Sequence, residues 1–434
     1  MNDLMATVNR KITYRLYPNP AQTAALHQTL ALHCRLYNTL LEEHQRHHRD
    51  RLGPFGFTEM CKALTAWRRE AGALAALNAQ SLQVTAKRAA LAYQAFFRRV
   101  KAGDTPGYPR FKSAHRFKGF GYKTHGDGWR LTLAEKHGYV RLAGIGLLKI
   151  RGRGRFQGTP KTAEVVHKQG RWHLSVTFVV EDAAVHRPVS ADRQAAAFDL
   201  GLETLVTLAL ADGTLKTVAN PRWLTRRLAA LKTVQQAAAA EQERLNAAAG
   251  LPTPLPKGAC PPVNGKLRRL RRQAGAIAAK VARQRHAFLH QLSAVLVQRF
   301  DALVTEELDV ATLVRRPHPD PQPDGTFAPN GAERTTGLRR AMHDAAPATL
   351  LTMLAYKAEE AGSRLHQAPT KELKPTQRCH ACGAVAKKAL AERRHVCACG
   401  ASCGRDENAA LTLLRWFKES PFWPGTGQAT PHAA

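Results

Sequence analysis

Apolar positions along the first part of the chain follow two different periods. Residues 8–17, VNRKITYRLY, alternate as a strand does; Pro18-Asn19-Pro20 then stops them and offers proline at a first helical position. From Ala21 to about His47, Leu26, Leu30, Tyr37, Leu40 and Leu41 recur at helical spacing. Two more helices are predicted, near 58–70 and from Ser81 to Lys101. The second carries Leu82, Ala86, Ala90, Tyr93 and Phe97 on one side and Lys87, Arg88, Arg98 and Arg99 elsewhere. Strand-like alternation returns at 129–133, 138–142, 145–151, 162–168 and 171–181. The first strand needs partners, so these segments predict a β-barrel or sandwich into which the helices of 19–102 are inserted.

A second pattern opens near Ala195. Ala195–Asp199 reads as an apolar strand, followed by a glycine turn and an antiparallel strand over Thr204–Leu210. Long basic helices are predicted over about 221–248 and 265–299, with a Pro/Gly-rich loop at 250–264 between them. Ala302–Glu306 reads as a short buried strand ending in acid, and 311–337 as a flexible loop. A helix over about 344–361 and a strand near 363–368 lead to a cysteine cluster; 419–434 has the composition of a disordered tail.

Charge changes the picture most. Lys and Arg number 65 against 33 acidic residues, a net charge of +32 spread along the 434-residue chain. Such an excess is self-repelling unless a polyanion neutralises it, which favours nucleic acid over a membrane surface. Basic and aromatic residues interleave in Gly107–Lys112 and Arg116–Lys123, as phosphate contacts beside base stacking require; the same pattern fits a β-rich loop with buried aromatics. Neither a leader nor a run of membrane-spanning length is evident, so a cytoplasmic protein with no membrane partner is expected.

Five of the eight cysteines lie between 379 and 403, which favours a metal site over a disulfide framework. Cys379, Cys382, Cys397 and Cys399 can form a closed tetrahedral Zn²⁺ site, structural because no position stays open. Cys403 could replace Cys397 or Cys399, and His380 or His395 could contribute. Three carboxylates occupy element ends: Asp199 and Glu306 end apolar strands, and Asp406 heads a helix. Converging there, they would repel one another unless Mg²⁺ or Mn²⁺ lay between them, a set suited to phosphodiester hydrolysis. Glu307 should face away from Glu306 by strand alternation, Glu407 should point about 100° from Asp406 into solvent, and Asp309 should cap a helix.

In these residues the chain resembles the OrfB/TnpB proteins of bacterial insertion sequences, compact RNA-guided nucleases related to type V CRISPR effectors. The resemblance rests on Lys11–Pro18 with Pro20 and Gln22, Phe96–Lys101 with Gly107–Lys112, and Phe198-Asp199-Leu-Gly-Leu. Val304–Val310, Thr376–Gly383 with the second cysteine pair, and Arg405–Ala410 complete it in order. Gly404 departs from the acid often found there, and the C-x-C spacing is a variant.

The resemblance implies an α+β multidomain protein. Its parts would be a first wedge strand (1–18), a helical recognition lobe (19–102), a wedge β-barrel (103–190), and a RuvC-like, RNase H-fold nuclease core (191–375). A zinc ribbon (376–404) and a final nuclease helix (405–418) would follow, with 419–434 a disordered tail. It implies catalytic metal binding by Asp199, Glu306 and Asp406. Nucleic-acid contacts are expected at Arg15, Tyr17, Arg98, Arg99, Arg110, Lys112, Arg116 and Lys118. The expected partners are a guide RNA from the element's end and target double-stranded DNA, with one protein monomer per RNA. Alternatives are a guide-dependent DNA-binding regulator without cleavage and a zinc-ribbon transposition accessory protein.

Overall fold

The computed structural model describes residues 7–423 apart from 71, 115, 153–157, 182–193, 253–254, 256–258, 324–325 and 390. The chain divides into two compact units, Met1–Val185 and His186–Ala434. The last residues of the predicted tail, 424–434, and the end of the predicted wedge lie outside the described residues. Among the described residues no helix is long and apolar enough to cross a membrane.

The first unit begins with β1 (Thr7–Tyr17), followed by α1 (Pro20–Arg49), α2 (Phe57–Glu70), α3 (Gly72–Ala75) and α4 (Ala79–Lys101). Asn19 caps α1 by accepting from the Gln22 N–H while the Gln22 side chain accepts from the Asn19 N–H, and Pro20 takes the first turn. Then come β2 (Gly119–Tyr122), β3 (Trp129–Leu133), β4 (His137–Leu142), β5 (Gly146–Arg151), β6 (Thr159–Lys168) and β7 (Arg171–Glu181). They form one antiparallel sheet in the order β2-β6-β7-β1-β5-β4-β3. The opening strand sits in the middle, paired with β7 from Thr7↔Glu181 to Arg15↔His173 and with β5 at its end. No pairing joins β2 to β3 among the described residues, so the sheet is an open half-barrel where a closed barrel was one expectation.

One strand, β2, has no alternating pattern that predicts it. Residues 119–122 pair with β6, and Phe117, Phe120 and Tyr122 are buried, whereas Tyr108 and Phe111 remain exposed. The basic and aromatic stretch therefore divides: its later aromatics are core, and its earlier ones face solvent. His33 joins α1 to α4 inside this core, its ring nitrogens within 2.8 Å of Thr85 Oγ1 and 3.1 Å of Ser81 Oγ, and its ring stacked on Phe120. Burial, reinforced by Arg88, pushes His33 down to about 3.

The second unit contains β8 (Gln194–Asp199), β9 (Thr204–Leu210), β10 (Leu215–Ala219), α5 (Leu228–Ala248), α6 (Gly265–Arg299) and β11 (Phe300–Glu306). Next come α7 (Val310–Leu313), β12 (Asp320–Pro321), β13 (Phe327–Ala328), α8 (Ala332–Ala345) and α9 (Pro347–Ala361). β14 (Arg364–Ala368), α10 (Thr370–Leu373), β15 (Arg394–Val396), β16 (Ser402–Gly404) and α11 (Arg405–Lys418) complete it. Its main sheet runs β10-β9-β8-β11-β14: the first three strands are antiparallel, while β11 lies parallel to both β8 and β14.

Two predicted segments differ. The helix expected over 344–361 is α9, which starts slightly later because Ala346 takes a left-handed conformation (φ 52°) after α8 and Pro347 opens the new helix. The loop expected over 311–337 contains most of α7, the β12–β13 pair and the start of α8.

Strand alternation divides the second unit's core into two layers. Ala196, Phe198 and Leu303 pack with Leu289, Leu296, Leu350 and Leu354 of α6 and α9. On the other face Ala195, Ala197, Ala209, Ala302 and Val304 meet Ala410, Leu413, Leu414 and Phe417 of α11. Alanines at those strand positions let the helix lie close to the sheet.

A buried neutral His33 favours the fold fully above about pH 6.5, and that contribution is lost as pH falls toward 3, because the unfolded chain takes up the proton first. Full-length protein should lose about 2 kcal/mol of stability between about pH 7 and pH 5 from this residue alone. Urea midpoints across that window check it: His33→Gln should flatten the slope, and an unchanged slope would assign the loss to other groups.

Candidate active site

The α11-facing layer carries the three acids. Ala195 and Ala197 share that face of β8, and the next residue in the alternation is Asp199; on β11, Ala302 and Val304 lead likewise to Glu306. The parallel register Ala302↔Ala195 through Val304↔Ala197, continued by two residues, sets Glu306 beside Asp199. Asp406 stands in the first turn of α11, where a carboxylate also meets the positive end of the helix dipole. Gly201 lies between: a Cβ there would come within 2.5 Å of Thr204 O and 3.3 Å of Asp406 Oδ2, so the turn has no room for a side chain.

Asp199 is 5% exposed, and its carboxyl is pushed up to about 8 by burial, then by the nearby Glu306 and Asp406; Arg405 and the Leu200 N–H oppose the shift. Burial also raises Glu306, against the Thr370 hydroxyl. Three acids from three elements thus act electrostatically on one point. Among the described residues, two groups bring three or more His, Cys, Asp or Glu ligand atoms within 4.8 Å of one another, and both are in the cysteine cluster; the three carboxylates stand further apart. Mutual repulsion is the physical reason for such spacing.

The neighbouring acids have separate tasks. Glu307 is exposed and donates its N–H to Ala368 O, while Asp309 caps α7 by accepting from the Thr312 N–H at 3.0 Å. Glu407 is not simply solvated as expected: its Oε2 accepts from the Gly404 N–H at 2.6 Å and so closes the start of α11.

Cys379, Cys382, Cys397 and Cys399 form one group, with Sγ–Sγ distances of 3.7 Å for Cys379–Cys399 and 3.5 Å for Cys382–Cys397. A tetrahedron with Zn–S bonds of about 2.3 Å has edges of about 3.8 Å, so the cluster is consistent with a structural zinc. Each cysteine pair sits on a tight turn completed by a glycine at positive φ, Gly383 at 80° and Gly400 at 91°. Cys403 lies outside the group, on β16 opposite His395. His380 and His395 gather with Cys379 in a second, overlapping group.

The bonds that tie the cysteine cluster to α11, the helix that bears Asp406, belong to no motif in the sequence. Asn408 is fully buried; its Nδ2 donates to Pro375 O at 3.1 Å and Arg378 O at 2.7 Å, and its Oδ1 accepts from the His380 N–H at 3.1 Å. Thr412 Oγ1 donates to Arg378 O, Arg415 Nη1 donates to His380 O and Ala381 O, and the Arg405 N–H donates to Arg393 O. The available signal was a polar residue at a core position of an apolar helix, two places after Asp406.

The expected nucleic-acid contacts all belong to the first unit. Arg15 and Tyr17 lie together on β1, with the guanidinium 4.7 Å from the ring centre. Arg98 and Arg99 are exposed in the last turn of α4, and Arg110, Arg116 and Lys118 are exposed beyond it. Lys112 is tied down, its ammonium 4.5 Å from the Tyr37 ring centre and its backbone bonded to Asn38.

Family models match residues 175–316 ("Probable transposase", OrfB_IS605), 5–51 ("Helix-turn-helix domain", OrfB_IS605) and 348–413 ("Cas12f1-like, TNB domain"). The chain belongs to the OrfB family of insertion-sequence proteins. Within the matched 5–51, however, the described residues form a strand and one helix, not two helices about a turn. This OrfB member is 28% identical over 422 residues to a "Putative RNA-guided DNA endonuclease" of Streptomyces pristinaespiralis, covering 95% of this chain and 90% of that one. A Mycobacterium tuberculosis protein of the same description is 29% identical over 332 residues, 74% of this chain and 64% of that one. The fold is also shared with the protein in a Cas12f1-sgRNA-target DNA complex, with a TM-score of 0.53 at 11% identity, over 94% of this chain and 99% of that one.

Two measurements follow from this geometry. Because its folded value lies above that of the unfolded chain, Asp199 costs nothing below about pH 4 and increasingly destabilises cation-free protein as pH rises to about 8. Asp199→Asn should therefore raise the melting temperature at pH 8 more than at pH 5; an equal change at both would remove the electrostatic account. Asn408→Ala should leave zinc content unchanged yet cost about 2–3 kcal/mol, since it strands buried carbonyls. Loss of zinc in that variant would make Asn408 part of the metal site itself.

Proposed function

We propose that this chain is a transposon-associated, RNA-guided DNA endonuclease whose cleavage site is formed by Asp199, Glu306 and Asp406. The observation that carries the reading is the placement of three acids from three elements around one sheet end: Asp199 buried at the end of β8, Glu306 beside it on the parallel strand β11, and Asp406 in the first turn of the helix that covers them. A donor set of carboxylate oxygens suits hard divalent cations, Mg²⁺ or Mn²⁺, better than soft metals. When bound, such cations would stabilise the attacking and leaving oxygens of a phosphodiester. Asp199 would be ionised there and would hold its position through the close sheet-to-helix packing; Asp406 is fixed by the Glu407 cap and the cysteine hairpin. Arg405 adds a positive charge that favours the ionised form of Asp199.

The strand order, with three antiparallel strands followed by two parallel ones, supports an RNase H-like nuclease core. Residues 376–404, carrying the four cysteines, would be a zinc ribbon inserted before the final nuclease helix, with Zn²⁺ held by Cys379, Cys382, Cys397 and Cys399. In the first unit the half-barrel would serve as the wedge and α1–α4 as the recognition lobe. A guide RNA would be gripped through its backbone while base pairing reads the DNA target. The relatives described as RNA-guided DNA endonucleases support the same reading.

Co-purified RNA should be sequenced and matched DNA offered with Mg²⁺. Cleavage is expected to require both the RNA and the cation, and protein that carries no RNA would overturn the proposal. Asp199→Ala or Asp406→Ala should lower the cleavage rate by about a hundredfold or more while leaving binding nearly unchanged, since few of many charges are altered. RNA-dependent binding without any cutting by the unaltered protein would favour the regulator. Cys379→Ser should lower zinc content together with cleavage; full zinc occupancy in that variant would refute its role as a ligand.

A further inference from the structure

β11 and β14 run side by side into the candidate site, and their ladder ends there. Glu306 lies opposite Ala368, and the Glu307 N–H donates to Ala368 O at 2.9 Å. In a regular parallel ladder the next bond would run from the backbone N–H of residue 370 to Glu307 O. The chain instead turns at Pro369, which stands at the cap of α10, so Thr370 already belongs to a helix. Its hydroxyl makes the bond in place of the backbone, donating to Glu307 O at 2.6 Å. The carbonyl that follows Glu306 is thereby paired where the strand delivers its acid.

Ala368 shares the α11-facing side with Ala302 and Val304, which lead to Glu306; Thr370 follows Ala368 by two residues and comes up beside the Glu306 side chain. There its hydroxyl favours the charged form of the Glu306 carboxyl. Behind it, α10 is braced by Arg378. Nε of that residue donates to Leu373 O at 2.9 Å, Nη2 to Glu372 O at 3.4 Å, and Nη1 to Gly383 O in the first cysteine turn at 3.2 Å. The Arg378 carbonyl in turn accepts from Asn408 and Thr412 of α11. One residue, adjoining Cys379, therefore bonds both the segment that reaches Glu306 and the helix that carries Asp406.

We infer that Thr370 is a positioning residue for Glu306: its hydroxyl fixes the end of β11, and Arg378 ties its helix to the cysteine hairpin. The inference rests on the reading of Asp199, Glu306 and Asp406 as a divalent-cation site. Thr370 is not itself a ligand in this scheme; it acts by orienting the carboxylate.

The test measures Mn²⁺ binding, from the electron paramagnetic resonance signal of the free ion, in full-length, zinc-loaded protein freed of RNA. Binding that Asp199→Ala abolishes belongs to the acids. Thr370→Val, which keeps the shape and removes the hydroxyl, should weaken that binding about 10-fold, the scale expected for a group that orients a metal ligand. Thr370→Ser should restore it to within about twofold, with zinc content equal in every variant. Thr370→Ala removes the same hydroxyl without setting a methyl group against the carbonyl, so it should show the same loss even if valine disturbs the fold. In cleavage, Thr370→Ala should raise the Mg²⁺ concentration for half-maximal rate about 10-fold while saturating Mg²⁺ recovers most of the rate, a split that general loss of structure would not produce. Asp199-dependent Mn²⁺ binding unchanged in both the valine and alanine variants would overturn this inference alone, as would an equal loss in Thr370→Ser. Unaltered protein without Asp199-dependent Mn²⁺ binding would overturn the cation-site reading and this inference with it.

Discussion

The second unit is built around a buried carboxylate, Asp199, with two further acids close enough to act on it. Asp199 is buried on the sheet face covered by α11, Glu306 lies beside it on the parallel neighbour strand, and Asp406 approaches from the helix. Left to electrostatics the three would move apart. They are held by apolar packing: alanines on β8, β9 and β11 let Leu413, Leu414 and Phe417 close onto the sheet. Burial of those side chains contributes roughly 1.5–3 kcal/mol each, enough to offset a strained carboxylate. Stability is thus concentrated next to the group that opposes it.

The cysteine cluster belongs to the same device. Its hairpin leads directly from β16 into α11, and Asn408, Thr412 and Arg415 bond it along the first three turns of that helix. The position of Asp406 is therefore fixed from two sides, by the sheet and by a metal-sized cluster of thiols. A zinc bound there would act on the acids only through this chain of hydrogen bonds and packing.

The first unit solves a different problem. Its central strand β1 is separated from the rest of its sheet by about one hundred residues that include α1–α4, a large loop-closure cost. The contacts that offset it are specific: β1 pairs along its length with β7, and Arg88 of α4 bonds Glu164 of β6 at 2.7 Å and Gly119 O of β2. His33 adds a neutral polar bridge between α1 and α4 that is fully satisfied, so it fixes the register of the two helices without burying a charge.

Much of the organisation was legible in the chain because it is written in short-range chemistry. Helical and strand periods located α1, α4, α6, β7 and β11 closely, since each has a clear buried side. Thiol spacing pointed to Cys379, Cys382, Cys397 and Cys399, and acids at element ends singled out Asp199, Glu306 and Asp406. Tertiary contacts decided what short range leaves open. Cys403 is excluded from the four-thiol group because β16 pairs it with His395, and Glu407 caps α11 because Gly404 offers its N–H. β2 forms because β6 supplies an edge, and α9 starts at Pro347 because Ala346 turns left-handed before it. The sequence alone named the acids and thiols, since residue type and spacing are local; only the fold could set Asp199 beside Glu306 and bond Asn408 to the hairpin, since both require segments distant in the chain to meet.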